Sequence, residues 1–142
     1  MWNMWVGSRM TMLRQVMTRT LPWATGTAVM LSSFGVEAAE QLGDEAIAQR
    51  LTSLPGWTID DSSLICTYSF GNFVESVDFV NQLVEPSELM AHHPDVAIAY
   101  NQVTLSLTTH DAGGLTTLDF DLAEIITTVA NLDGDRPCLP TL

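Results

Sequence analysis

All three histidines of the chain, His92, His93 and His110, fall in one stretch, Glu88 to Asp119, which reads ELMAHHPDVAIAYNQVTLSLTTHDAGGLTTLD. An imidazole with an ordinary pKa near ~6.5 gives or takes a proton at neutral pH, so a group of them invites an acid–base reading. Glu88, four residues before His92, shares a helical face with it and could orient that ring or raise its pKa; Asp111 could do the same for His110. Each histidine alone also fits a turn or cap role. Asp119 is accounted for as the partner of Thr116 in a helix-starting capping box. A zinc or iron site of His92, His93 and His110 competes poorly, since adjacent histidines rarely share one metal and no His-x3-His or cysteine pair assists. Ser/His/Asp hydrolysis lacks a nucleophile elbow, and Gly113-Gly114 is no dinucleotide fingerprint. Spacing alone leaves a proton-transfer site and the structural reading side by side.

The elements that must position these residues are legible from Leu42 onward. Asp44 is the expected N-cap of a helix running to about Ser53, with Ile47, Leu51 and Leu54 on one side, and Pro55-Gly56 ends it. Trp57–Ile59 and Leu64–Phe70 alternate as two strands around the turn Asp60-Asp61-Ser62-Ser63. Asn72 then caps a helix whose apolar stripe is Phe73, Val77, Val80 and Val84, broadened by Val74, Phe79 and Leu83. Pro86 predicts a kink or a restart at Ser87, and Pro94 holds His93 out of helical geometry, so the helix ends at the histidine pair. Val96–Tyr100 and Val103–Thr109 read as a second hairpin around Asn101-Gln102, followed by a glycine loop, His110–Gly114. Thr116 caps a last helix with Leu118, Leu122, Ile125, Ile126 and Val129 as its apolar face. The expected fold is α+β, in the order α-β-β-α-β-β-α: a four-stranded antiparallel sheet with three helices on one face.

The 142 residues fit one domain, 42–132, between an extension (1–41) and a loose tail (133–142). The extension holds six of the seven methionines, three of the four tryptophans and three of the five cations, with no acid before Glu37. Its Arg-bearing start, Thr27–Leu31 core and Val36-Glu37-Ala38 site resemble a secretory signal broken by Pro22, Gly26, Ser32 and Ser33; a transit peptide or an unstructured extension are the other readings. The expected location is cytoplasmic, or exported or organellar if residues 1–38 are a cleaved signal. Residues 37–142 carry two Arg, no Lys and all 17 acids, which argues against a nucleic-acid backbone as a direct ligand. No window reaches the ~18 apolar residues of a membrane span. Cys66 and Cys138 are too few and too far apart for a disulfide framework or a structural zinc site.

Taken together, Glu88, His92-His93-Pro94, Tyr100-Asn101, the alternating strand Val103–Leu107, Thr109-His110-Asp111, Gly114-Leu115 and Asp119 resemble the ordered signature of the pterin-4a-carbinolamine dehydratase family. Gly56-Trp57 and the Phe70, Phe73, Phe79 spacing add to it, and the resemblance spans Leu42 to Leu132. It implies removal of water from a 4a-hydroxytetrahydropterin to give a quinonoid dihydropterin, in tetrahydrobiopterin recycling beside an aromatic amino-acid hydroxylase, with no metal and no organic cofactor. By that resemblance His92, His93 and His110 are catalytic, with His93 and His110 moving protons and His92 polarising the pterin. Glu88 and Asp119 orient histidines; Pro94, the backbone of Thr109, Asp111 and Ala112, and Trp57 contact the substrate, although Trp57 is read from its type as core. The family implies a homodimer or homotetramer. A non-catalytic dimerisation or assembly factor on the same fold is the alternative. Val96-Ala97-Ile98-Ala99, where relatives are polar, and Pro86 depart from the pattern without removing a catalytic group.

Overall fold

Alternation builds the sheet. Successive strand side chains point to opposite faces, so Leu64, Cys66 and Tyr68 of β2 (Ser63–Ser69) share a face, as do Val103, Leu105 and Leu107 of β4 (Gln102–Leu107). The antiparallel register sets Leu64 opposite Leu107, Cys66 opposite Leu105 and Tyr68 opposite Val103. All six are completely buried, each apolar one contributing on the order of 1.5–3 kcal/mol of transfer free energy. The opposite face carries Thr67 and Thr104, whose hydroxyls are 2.9 Å apart. The short strand β1 (Thr58–Asp60) and the strand β3 (Asp95–Ala99) flank this pair, giving the antiparallel order β1-β2-β4-β3. The structure, a computed structural model, describes residues 39–132 and 134–139; the readings of a signal or transit segment in residues 1–38 lie outside the described residues.

Three helices cover the inner face: α1 (Asp44–Leu51), α2 (Phe73–Met90) and α3 (Thr117–Ala130). The element order is the one expected. The caps differ in one place: Gly43, not Asp44, is the N-cap of α1, and Asp44 sits in the first turn where its charge complements the helix dipole. That helix also stops short of Ser53, because the Thr52 and Ser53 hydroxyls turn back onto the Gln49 and Arg50 carbonyls. Asn72 caps α2 as expected, its side chain accepting from the Glu75 N–H. The buried face of α2, however, is Ser76, Phe79, Leu83 and Ser87. Phe73, Val74 and Val84 of the expected stripe are exposed, since the two serines let α2 lie close to its neighbours and turn the valines outward. Pro86 does not restart the helix, which runs on as one element to Met90. The bond it deletes is to the carbonyl of Gln82, on the solvent side. In α3 the buried face is Asp119, Phe120, Leu122, Ala123, Ile126 and Ala130. Leu118, Ile125 and Val129 are only half-buried beside it.

Two further expectations are overturned near the C-terminus. Cys66 and Cys138 form a disulfide across 72 residues of sequence, because the tail returns to the buried face of β2. Segment 134–139 is therefore not loose. The Leu139 N–H donates to the Thr67 carbonyl at 2.8 Å, and the Arg136 guanidinium stands 4.7 Å from the centroid of the Phe70 ring. Gly56, in left-handed backbone (φ 87°), faces the Cys138 carbonyl so closely that any Cβ there would collide with it. No helix among the described residues is long and apolar enough to cross a membrane.

Candidate active site

The C-terminus of α2 ends in a way that separates the two adjacent histidines. Ala91 adopts left-handed backbone (φ 49°). Its N–H donates to the Glu88 carbonyl and that of His92 to the Ser87 carbonyl, both at 3.1 Å. This is the Schellman arrangement, which satisfies the last carbonyls of a helix while reversing the chain. After the reversal His92 points inward and His93 swings back over the helix end. Pro94 then carries the chain into β3.

His92 is buried, and its Nε2 lies 2.8 Å from Oδ1 of Asp119, which has no exposed surface at all. The other carboxylate oxygen of Asp119 accepts from the Thr116 N–H at 2.7 Å and from the Thr109 hydroxyl at 2.8 Å. The Thr116 hydroxyl lies 2.8 Å from that of Thr109 and in turn accepts from the Leu118 N–H. The capping box of α3 is thus present as expected. The same carboxylate also receives His92 from α2 and Thr109 from the strand end after β4, which the local pattern could not reveal. A carboxylate only accepts, so the ring nitrogen facing it is the protonated one and Nδ1 of His92 is left for another partner.

His93 is paired differently. Its Nε2 is 2.9 Å from Oε1 of Glu88, and both side chains are more than half exposed. The expected pairing of Glu88 with His92 is replaced by this one, because the left-handed Ala91 breaks the helical phase on which a four-residue spacing depends. His110 opens a single 3-10 turn, His110–Ala112, closed by Gly113 in left-handed backbone (φ 74°). Its ring is exposed, and Asp111 makes no hydrogen bond to it among the described residues. Thr109 anchors this turn, exchanging backbone bonds with Gly114 and accepting from the Ala112 N–H. Of the backbone donors in Thr109–Ala112, those of Thr109 and Ala112 are therefore used internally. Glu88, His93 and Pro94 line a groove of about 180 Å³ together with Val80, Val84 and Val96.

Trp57 is not at this end. It is buried in the core, and its indole N–H donates to the Thr127 hydroxyl at 3.0 Å. Thr127 stands eight residues, roughly 12 Å, along α3 from Asp119. Among the described residues no three His, Cys, Asp or Glu side chains stand together in a way that could hold a metal ion.

The sequence profile of the family described as pterin 4 alpha carbinolamine dehydratase matches residues 40–129. The chain belongs to this family. A relative from Trichormus variabilis, provisionally named as a pterin-4-alpha-carbinolamine dehydratase, is 50% identical over 91 residues, covering 64% of this chain and 98% of its own. One from Acidobacterium capsulatum, with the same provisional name, is 50% identical over 86 residues, covering 61% of this chain and 94% of its own. Among solved structures, a transcriptional coactivator/pterin dehydratase from Brucella melitensis superposes with a TM-score of 0.62 at 29% identity, over 65% of this chain and all of that one. As a pterin carbinolamine dehydratase family member, this chain shares that fold.

Proposed function

We propose that the protein dehydrates 4a-hydroxytetrahydropterins, forming a quinonoid dihydropterin and water, in the recycling of tetrahydrobiopterin. The observation that carries this reading is the buried His92–Asp119 pair at the junction of α2, α3 and the strand end bearing His110. The reaction breaks one C–O bond at C4a and one ring N–H bond. An acid must deliver a proton to the departing hydroxyl, and a base must accept the ring-nitrogen proton. His93, set by Glu88, and His110, unengaged at the head of its turn, serve as acid and base. His92, fixed by Asp119, presents Nδ1 to the pterin and polarises it. Pro94 and the backbone of the His110–Ala112 turn, whose first N–H groups are free of the internal bonds made by Thr109 and Ala112, contact the ring edge. No metal or organic cofactor takes part. Sheet-edge strand β3, exposed along its whole length, supports assembly into a homodimer or homotetramer.

Stopped-flow measurement of carbinolamine loss tests the reading. Wild type is expected to accelerate dehydration well above the spontaneous rate, and His93→Ala to lose most of that acceleration. If both proteins left the spontaneous rate unchanged, the domain would act as a binding or assembly factor and the enzymatic reading would be wrong.

A further inference from the structure

The groove beside His93 has a character that the proton-transfer chemistry does not require. Val80, Leu83 and Val84 of α2 form one wall and Val96 of β3 the other, with Glu88 and His93 at its end. Val96 lies on the inner face of the sheet, opposite Leu105, yet remains 41% exposed. Ser87 lies at the floor, and its hydroxyl is buried without a hydrogen-bond partner among the described residues. Rotation about one side-chain bond swings such a hydroxyl between three staggered positions, so it can turn to meet a polar atom held in the groove.

Charge is one-sided here. The cations among the described residues are Arg50 and Arg136, and each is already committed: Arg50 to Asp121 and Glu124, Arg136 to Glu75. Neither lines the groove, where Glu88 supplies the negative charge. An anionic tail placed here would leave water for an apolar wall, find no Arg or Lys among the described lining residues and only a His93 ring already paired with Glu88, and lie beside the Glu88 carboxylate on a chain whose formal net charge is −12.

Size points the same way. About 180 Å³ is the liquid volume of roughly six waters and falls below the ~300–1,000 Å³ of sites that enclose a whole drug-sized ligand. The groove takes a substituent of a few heavy atoms. We infer that it is the selector for the C6 substituent of the pterin: short neutral substituents are accepted, and long anionic ones of the aryl-glutamate type are refused. Val84 and Val96 are the residues that set this choice. The inference rests on the dehydratase reading of the same site.

The test compares kcat/KM for three 4a-hydroxytetrahydropterins, carrying a methyl, a dihydroxypropyl or an aminobenzoylglutamate group at C6. The first two are expected within about tenfold of each other, because an apolar pocket discriminates weakly against added hydroxyls. The third is expected at least about 100-fold lower at low salt, with the gap narrowing as ionic strength screens the repulsion. Val84→Lys, at a position 55% exposed, supplies the missing cation. It is expected to raise the ratio of anionic to neutral kcat/KM about tenfold, whereas the uncharged control Val84→Gln leaves that ratio in place. Equal kcat/KM for all three pterins would overturn the selection while leaving the dehydratase reading intact. So would a Val84→Lys protein whose ratio is unmoved, including the case in which sedimentation shows the substitution breaking up an assembly that had covered the groove. Failure of wild type to turn over any of the three would remove the dehydratase reading and this inference with it.

Discussion

Nε2 of His92 and Oδ1 of Asp119 meet at 2.8 Å across 27 residues of sequence, and the carboxylate is wholly buried. Asp119→Asn keeps the shape of the side chain but replaces an acceptor-only group with an amide, which can present the wrong atom to the imidazole. Removing the carboxylate from such a pair costs about 10²–10⁴-fold in turnover. Stopped-flow kinetics should show a loss in that range, carried mainly by kcat. Thermal unfolding should show a smaller penalty, on the order of 1–3 kcal/mol, from the weakened helix start.

Pro86→Ala should stabilise the protein. The helix already continues through this position, and an alanine restores the N–H that the Gln82 carbonyl lacks. Proline inside a helix costs about 3 kcal/mol relative to alanine, so a gain of about 1–3 kcal/mol is expected in urea unfolding. A loss of stability would mean that α2 depends on the proline in some other way.

The Cys66–Cys138 disulfide closes a loop 72 residues long. Loop closure of that length restrains the unfolded chain by about 4 kcal/mol. Cys138→Ser, or reduction of the wild type, is expected to lower the melting temperature by about 10 °C or more. Thiol titration of the native oxidised protein should find no free cysteine; two titratable thiols would contradict the structure.

Burial pushes the Tyr68 phenol above its ordinary value of 10.0, with Thr127 and Trp57 pulling partly the other way through hydrogen bonds. The folded protein therefore keeps this proton at pH values where the unfolded chain has released it. Stability is unaffected below the ordinary value and falls as pH rises through it toward the raised one. Tyr68→Phe should remove that alkaline loss, at a cost of about 1 kcal/mol near neutral pH for the bond to Thr127. Denaturation midpoints of the two proteins between neutral pH and about pH 11 provide the comparison.

The sheet was easy to read because its alternation is local: Leu64, Cys66 and Tyr68 announce a buried face without reference to any partner. The cap of α3 was equally local, since Thr116 and Asp119 are three residues apart. What local pattern could not supply was phase. The valines of α2 have helical spacing, yet the helix buries Ser76, Phe79, Leu83 and Ser87, because small side chains permit close approach and a hydrophobicity count does not reward them. The pairing of Glu88 was misassigned for a related reason: a single alanine in left-handed backbone shifts every residue after it off the helical face. The disulfide was missed because two cysteines 72 residues apart carry no spacing signal. Their meeting depends on the path of a tail that has no periodicity of its own.

The carboxylate of Asp119 does two jobs that are usually separable. It closes the first turn of α3 through the Thr116 N–H, and it holds the ring of His92. A chain in which α3 has not yet formed cannot have a correctly set His92, however complete its hairpins are. Turnover during refolding would then report the arrival of one particular helix, and a partly assembled molecule would be silent toward substrate instead of acting on it carelessly. The residue that caps the helix is also the one that, in the proposed reaction, sets the ring of His92.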